Sequence, residues 1–325
     1  MASDPDTNSL ARNVGVVVIG RNEGDRLIQC LASIDPSVAC VVYVDSGSTD
    51  GSRDAARRAG AEVVELDLSR PFTAARARNA GVAAMRDAPR FIQFVDGDCE
   101  LVPDWIDTAA GFLHTTPDAA AVCGRLREKH PEKSVYNRLC DAEWNTEVGQ
   151  TKACGGIAMM RTTAFRKAAG FNENLIAGEE PELCLRLRQA DWQIWRIDAE
   201  MGWHDANMLH FGQWWTRARR GGHAAAEAAA MHGQPPERHG FRQTFSALAW
   251  GAILPMVIFL GYLVTPWALA LSLLWPAQIL RLSQRGDSWT TALFLVLIKF
   301  PEAQGVSGYW WNRLTARRAG LIEYK

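Results

Sequence analysis

At 325 residues the chain is long enough to bury a sizeable core, and it allows one large domain or a domain with an appendage. Its formal net charge of −1 hides an uneven distribution: residues 1–200 carry 23 Lys/Arg against 30 Asp/Glu, whereas residues 201–325 carry 12 against 6. The seven cysteines are odd in number, lie between Cys30 and Cys184, and lack the paired short spacings of a zinc site or disulfide framework, so they read as reduced thiols in a cytosolic compartment.

Residues 1–12 are polar, with neither the charged start nor the apolar stretch of a signal peptide, and are expected to form a flexible N-terminus on a catalytic part that is not exported. From Val14 onward, short β-rich runs alternate with helical stretches, the pattern of an α/β sheet covered by helices. The run from Val14 to Ile19 predicts a buried strand, residues 20–24 a turn, and Leu27, Ile28, Leu31 and Ile34 a helix by their spacing. Val41 to Val44 predicts a second strand that ends in Asp45 and a loop dense in turn formers, followed by a helix at 52–59 and a strand at 61–66. Phe91 to Val95 predicts another buried strand, closed by Asp96-Gly97-Asp98. Ligands of open α/β sheets sit outside the carboxyl ends of the strands, so three polar loops converge on one rim.

Two carboxylates at a strand end, with a glycine between them that lets a ligand approach the backbone, can hold a divalent cation against a diphosphate; alone, the same tripeptide also reads as an acidic turn. Arg21, Asn22 and Glu23 after the first strand, Asp45 after the second and Asp96-Gly97-Asp98 form an ordered set, and with it residues 14–215 resemble glycosyltransferase family 2. The resemblance implies a GT-A fold, a mixed and mostly parallel sheet flanked by helices. It also implies that Asp45 hydrogen-bonds the nucleotide base, that Asp96 and Asp98 hold Mg2+ or Mn2+ on the donor diphosphate, and that a sugar is transferred with inversion. Arg21, Asn22 and Glu23 belong to the same implied donor site. The segment 72–81 is similar to the family's Ala-Arg-Asn segment, which places Arg78 near the nucleotide; read alone, Arg76 and Arg78 are also compatible with solvated charges on a helix face.

Residues 154–161 look like the family's small-residue strand, where Gly156 lets the sugar or acceptor come close. Glu179-Glu180-Pro181 opens a helix in which Pro181 suits the first position and Glu182 pairs with Arg186 across one turn. The segment resembles the family's Glu-Asp motif, whose second acid is the general base. Here Glu180 stands where Asp is usual; Glu180 is favoured as the base, with Glu179 the alternative. Residues 192–197 predict a strand, and His204 beyond it is a candidate third metal ligand. Residues 213–223 do not match the Gln-x-x-Arg-Trp motif of processive members, which argues against a polymerising synthase.

Near Phe241 the chain changes character. Residues 246–282 are mostly apolar and predict one long kinked helix or a hairpin, and 290–300 is a further apolar stretch. Arg238, Arg242, Arg281, Arg285, Arg313, Arg317 and Arg318 flank these stretches, which suits a hairpin with its ends on the cytosolic face or helices lying in the interface; a buried helical pair of a soluble core is the alternative. The domains are therefore expected at 13–235 (catalytic) and 236–325 (membrane-associated). The expected function is a metal-dependent transfer from a nucleotide-diphospho-sugar, UDP-linked in the first instance, to a lipid-linked or glycan acceptor in cell-envelope, exopolysaccharide or glycolipid synthesis. Its expected place is the cytoplasmic face of the inner membrane, with no nucleic-acid partner. A silent membrane-bound nucleotide-sugar binding protein and a nucleotidyltransferase are the competing readings.

Overall fold

The computed structural model describes residues 10–86 and 88–315, so residues 1–9 of the expected flexible start and the flanking Arg317 and Arg318 lie outside the described residues. The chain divides into two compact units, one made of residues up to Leu175 with Glu179–Asn207, the other of Ile176–Gly178 with the residues from Met208 onward. The first unit runs β1 (Val14–Gly20), α1 (Asp25–Ala32), β2 (Cys40–Asp45), α2 (Ser52–Arg58), β3 (Glu62–Glu65), α3 (Ala74–Ala84), β4 (Phe91–Asp96), β5 (Cys99–Leu101), α4 (Trp105–Thr115) and β6 (Ala119–Glu128). It continues through α5 (Val135–Trp144), β7 (Gly149–Thr151), β8 (Ala158–Arg161), α6 (Thr162–Lys167), α7 (Glu179–Gln189) and β9 (Gln193–His204).

The strands form one mixed sheet in the order β3-β2-β1-β4-β8-β6-β9-β5, with β7 paired to β9. β1, β2, β3 and β4 are mutually parallel, while β8 runs antiparallel to both β4 and β6. Both faces of the parallel half are covered, and its strands are accordingly near-continuous apolar runs; Val16, Val17, Val18, Val42, Phe91 and Ile92 are fully buried. Register then decides where the acids go. Gly20 is opposite Asp45, and Ile19 is opposite Asp96, so the loops after β1, β2 and β4 leave the sheet on one rim.

Two predicted boundaries move for physical reasons. Only the second half of 154–161 is strand; residues before Ala158 form a loop in which Gly155 has φ +83°, a backbone that a β ladder does not accept. α7 begins at Glu179 instead of Pro181, because the first four N–H groups of a helix have no intrahelical acceptor and a proline in its third position sacrifices no bond.

The second unit contains α8 (Phe211–His232), α9 (Phe241–Leu248), α10 (Leu254–Tyr262), α11 (Leu274–Ser283), α12 (Trp289–Leu297) and α13 (Lys299–Leu314). α8, expected in the catalytic domain, packs instead on α13; Gly222 faces the Glu302 backbone and Gly305 the Arg219 carbonyl so closely that any side chain there would separate the helices. A π-helical turn at Ala249–Ile253 joins α9 to α10, widening the helix just where the Pro255 ring would otherwise strike the carbonyl four residues earlier. After residues 263–265 a 3-10 segment, Pro266–Leu273, turns back: Trp275 Nε1 donates to the Trp250 carbonyl at 3.3 Å, so the hairpin form of the predicted apolar region is the one observed. Its large apolar side chains, among them Phe245, Met256, Phe259, Leu263, Val264 and Trp267, are exposed, which is not how a buried soluble pair would lie.

Candidate active site

The loops after β1 and β2 are tied to each other. Asn22, at φ +56°, donates its N–H to Ser48 Oγ at 2.9 Å and accepts from the Thr49 N–H on Oδ1 at 2.8 Å. Asp45 is buried and holds its own loop: Oδ1 accepts from the Gly47 and Ser48 N–H groups at 3.0 and 2.8 Å, and Oδ2 from the Tyr43 hydroxyl at 3.2 Å. Arg21 stays exposed with its guanidinium 5.0 Å from the centroid of the Phe72 ring. Glu23 pairs with Arg26 one helical turn on, at 2.6 Å.

Neither arginine of α3 is a solvated face charge. Arg76 is buried and donates to the carbonyls of Asp67, Arg70 and Pro71, which staples the loop before the helix. Arg78, also buried, donates from Nη2 to Asp96 Oδ1 at 2.8 Å and from Nη1 to Glu179 Oε1 at 2.6 Å. Burial presses the guanidinium towards losing its proton, but the facing carboxylates of Asp96 and Glu179 outweigh this and the net shift is upward. Arg78 thus joins the end of β4 to the start of α7. A β-carbon on Gly156 would lie 2.8 Å from Arg78 Nη2 and 3.6 Å from Asp96 Oδ2, so glycine keeps this side of the pair open.

Asp98 and His204 come together from strands that meet at the sheet's far end. Cys99 of β5 is opposite His204 of β9, and His204 Nε2 lies 3.2 Å from Asp98 Oδ2. The His204 ring is stacked on Trp144 of α5, centroids 4.6 Å apart. Asp98, Cys99 and His204 offer ligand atoms all within 4.8 Å of one another. Asp96 is not part of that group: one of its oxygens faces Arg78, and its side chain is one-third exposed.

The two candidate glutamates have different partners. Glu180 points away from the rim; its Oε1 accepts from the Cys154 N–H at 2.7 Å and from the thiols of Cys154 and Cys184 at 3.2 and 2.9 Å. The extra methylene relative to Asp lets the carboxylate reach back into the core. Glu179 instead shares Arg78 with Asp96.

Sequence reasoning missed two supports. Trp144 positions the His204 ring, and buried Glu128 accepts from the His130 and Ala206 N–H groups at 3.0 and 3.1 Å, fixing the chain just past His204. Burial pushes the Glu128 carboxyl upward. No sequence signal marks either residue, because each meets its partner across about 60–80 residues through β6 and α5.

Residues 15–168 match a family model described as glycosyl transferase family 2. Succinoglycan biosynthesis protein ExoA of Rhizobium meliloti (strain 1021) is 25% identical over 287 residues, covering 83% of this chain and 86% of that protein. Glycosyltransferase AglE of Haloferax volcanii is 22% identical over 325 residues, 96% of this chain and 95% of that one. A solved structure of mannosyltransferase PcManGT from Pyrobaculum calidifontis, in complex with GDP-Man and Mn2+, is similar with a TM-score of 0.59 at 18% identity, covering 93% of this chain and 88% of that chain. This last likeness shows a shared GT-A fold.

Proposed function

We infer the following reaction for this chain, which is a glycosyltransferase carrying a family 2 domain: a sugar passes, with inversion, from a nucleotide-diphospho-sugar to a lipid-linked or glycan acceptor. The observation that carries the inference is the Glu179–Arg78–Asp96 bridge, joined through Gly97 to the Asp98–His204 pair at the end of β4. One acid there can take a proton while another group of acids attends to the diphosphate.

In this reading a carboxylate oxygen of Glu179 accepts the acceptor's hydroxyl proton as the acceptor's own hydroxyl oxygen attacks the anomeric carbon, and the bond from that carbon to the diphosphate breaks on the opposite face. Arg78 fixes the distance between the base and the donor end of the site. Gly156 leaves room for the sugar, and the interlocked loops of Arg21, Asn22 and Asp45 receive the nucleotide. The residues fit a divalent cation: Asp98 and His204 provide an oxygen and an imidazole nitrogen from a nearly buried pair, and Asp96 lies two residues before Asp98 with an oxygen beyond its Arg78 bond. Mn2+ or Mg2+ held there supplies charge neutralisation to the departing diphosphate. The complex of PcManGT with GDP-Man and Mn2+ supports a divalent cation beside a nucleotide-sugar donor.

Membrane association rests on the helix Phe241–Tyr262, the one helix among the described residues that is long and apolar enough to cross a bilayer, with a mean hydropathy of 1.8 and 6% of that apolar window buried. Arg238 and Arg242 flank its start, and Arg281 and Arg285 the end of its return arm, so both ends of the hairpin face the cytosolic leaflet. An enzyme so anchored meets lipid-linked acceptors, and the named role of ExoA in succinoglycan biosynthesis supports an exopolysaccharide or cell-envelope product.

The test is turnover of labelled UDP-, GDP- and dTDP-sugars by the full chain in membranes. Glu179→Gln is expected to lose about 10²–10⁴-fold in transfer, and Glu180→Gln less than the roughly 10–100-fold of a lost supporting contact. Full activity in Glu179→Gln would move the base elsewhere. Donor binding without turnover by the wild type would favour the silent-binder reading, which the inward turn of Glu180 keeps in play.

A further inference from the structure

A second group of ligand-bearing side chains lies in the first unit, on the core side of α7. Cys154, from the loop before β8, and Cys184, one helical turn beyond Glu180 on α7, bring their sulfurs to 3.6 Å, and Glu180 Oε1 lies 3.2 and 2.9 Å from them. All three are buried, and their ligand atoms lie within 4.8 Å of one another. Cys123 of β6 is a third buried thiol, close enough to interact electrostatically with Glu180 and Cys184.

The hydrogen bonds define what the cluster wants. Three donors, one backbone N–H and two thiols, converge on a single carboxylate oxygen, and among the described residues no Lys or Arg forms an ion pair with Glu180. A buried carboxylate with only weak thiol donors and one amide for company is under-compensated, because burying a charge costs several kcal/mol unless a counter-charge meets it. The thiols are the natural place for one. Replacing their two protons by one divalent cation leaves the net charge of the cluster unchanged while putting the positive charge at its centre.

We propose that Cys154, Cys184 and Glu180 form a buried site for a thiophilic divalent cation, Zn2+ being the physiological candidate, separate from the site of Asp98 and His204. Two thiolates and a carboxylate on a small, dry site select zinc over magnesium or manganese, and a 3.6 Å sulfur separation is close to what two Zn–S bonds of about 2.3 Å span at a tetrahedral angle. On binding, two S–H bonds break, two metal–sulfur bonds form, two protons leave to solvent, and no electron is transferred. The ion would clamp the loop that carries Gly156 to the helix that carries Glu179. The ligand spacing, 30 residues and then one helical turn, belongs to no short zinc motif, which is why the sequence pointed to unliganded thiols.

The experiment uses the full chain, stripped with chelator under reducing conditions, in the Asp98→Ala, Cys99→Ser background so that the Asp98–Cys99–His204 group contributes no thiolate band. Cd2+ alone is the spectroscopic probe and Zn2+ alone its competitor. The expected result is one equivalent of Cd2+ with a thiolate-to-metal charge-transfer band, displaced by Zn2+ and accompanied by proton release. In Cys154→Ser with Cys184→Ser, affinity should fall by more than the roughly 100-fold that losing a mere supporting partner costs. The band should persist in Cys30→Ser, which serves as a folded control and leaves the cluster intact. Absence of the band, or a band unchanged in the double variant, overturns the proposal. So does ready formation of a Cys154–Cys184 disulfide, a loss of two hydrogens by mass, by a protein that takes up no metal. None of these outcomes depends on transfer activity, so the proposal and the reading of Glu179 as base fail separately.

Discussion

Replacing Arg78 by Met removes a guanidinium that is 3% exposed and bonded to two acids, and the cost follows from their surroundings. Breaking a fully buried ion pair by deleting one partner costs roughly 3–5 kcal/mol. Glu179 is 12% exposed, and Asp96, at 33%, regains much of its hydration, so the upper part of that range does not apply. We expect about 3 kcal/mol, partly offset because Met fills the space of the side-chain stem. For a unit of this size that corresponds to a fall of roughly 6–12 °C in the unfolding temperature. Transfer should drop by more, about 10²-fold or beyond, because Glu179 and Asp96 lose their common tether. The assay is thermal unfolding of the detergent-purified chain beside donor turnover at saturating metal. Arg78→Lys should recover part of the stability and little of the rate, since one ammonium cannot hold both acids with the guanidinium's geometry. A loss below about 1 kcal/mol with wild-type turnover would refute the bridge as the organiser of the site.

Three further outcomes follow from the second unit. Val257→Asp in the exposed face of the 241–262 helix should release most of the chain from liposomes in flotation, because a charge at mid-helix costs about 2.5–3.5 kcal/mol on insertion scales; undiminished flotation would remove the membrane reading. Glu227 and His223 lie 3.9 Å apart on α8, and burial pushes the Glu227 carboxyl from 4.5 up to about 7. The folded chain therefore holds a proton that the unfolded chain releases between these values, and stability declines as pH rises through that window and levels off above it. With the remaining solvent contact of Glu227 discounted, the loss is about 1–2 kcal/mol, and Glu227→Gln should abolish it in unfolding measured from pH 5 to 8. His223 acts in the opposite sense: burial lowers its affinity for a proton, so the stability it contributes is lost as pH falls below its ordinary 6.5, and this acid-side slope should survive in Glu227→Gln.

The elements that could be read from sequence are those whose signal is local. β1, β2 and β4 are apolar runs bounded by turn formers, and their parallel register brought Asp45 and Asp96 to one rim as expected. The Asp98–His204 meeting was legible only as an ordered motif, since 106 residues separate the two and β5–β9 pairing is what joins them. What stayed hidden is direction. Nothing local says that Glu180 turns inward to Cys154 and Cys184 while Glu179 turns outward to Arg78, because adjacent positions at a helix start point to different neighbours and the choice is made by packing across α3, α7 and the β8 loop. The burial of Arg76 was equally invisible, as its partners are backbone carbonyls that carry no sequence signature.

The central claim is that the strand-end acids serve the donor diphosphate through a divalent cation, and turnover measured as a function of Mn2+ concentration in Asp98→Ala tests it most directly. Asp98 is almost completely buried against His204, so unfolding of the variant is measured beside its turnover to separate loss of the fold from loss of the site. This variant should lose at least about 10²-fold in transfer, the scale of a removed electrostatic contact to the reacting group, and added Mn2+ should no longer restore it. Wild-type turnover with an unchanged metal dependence would contradict it.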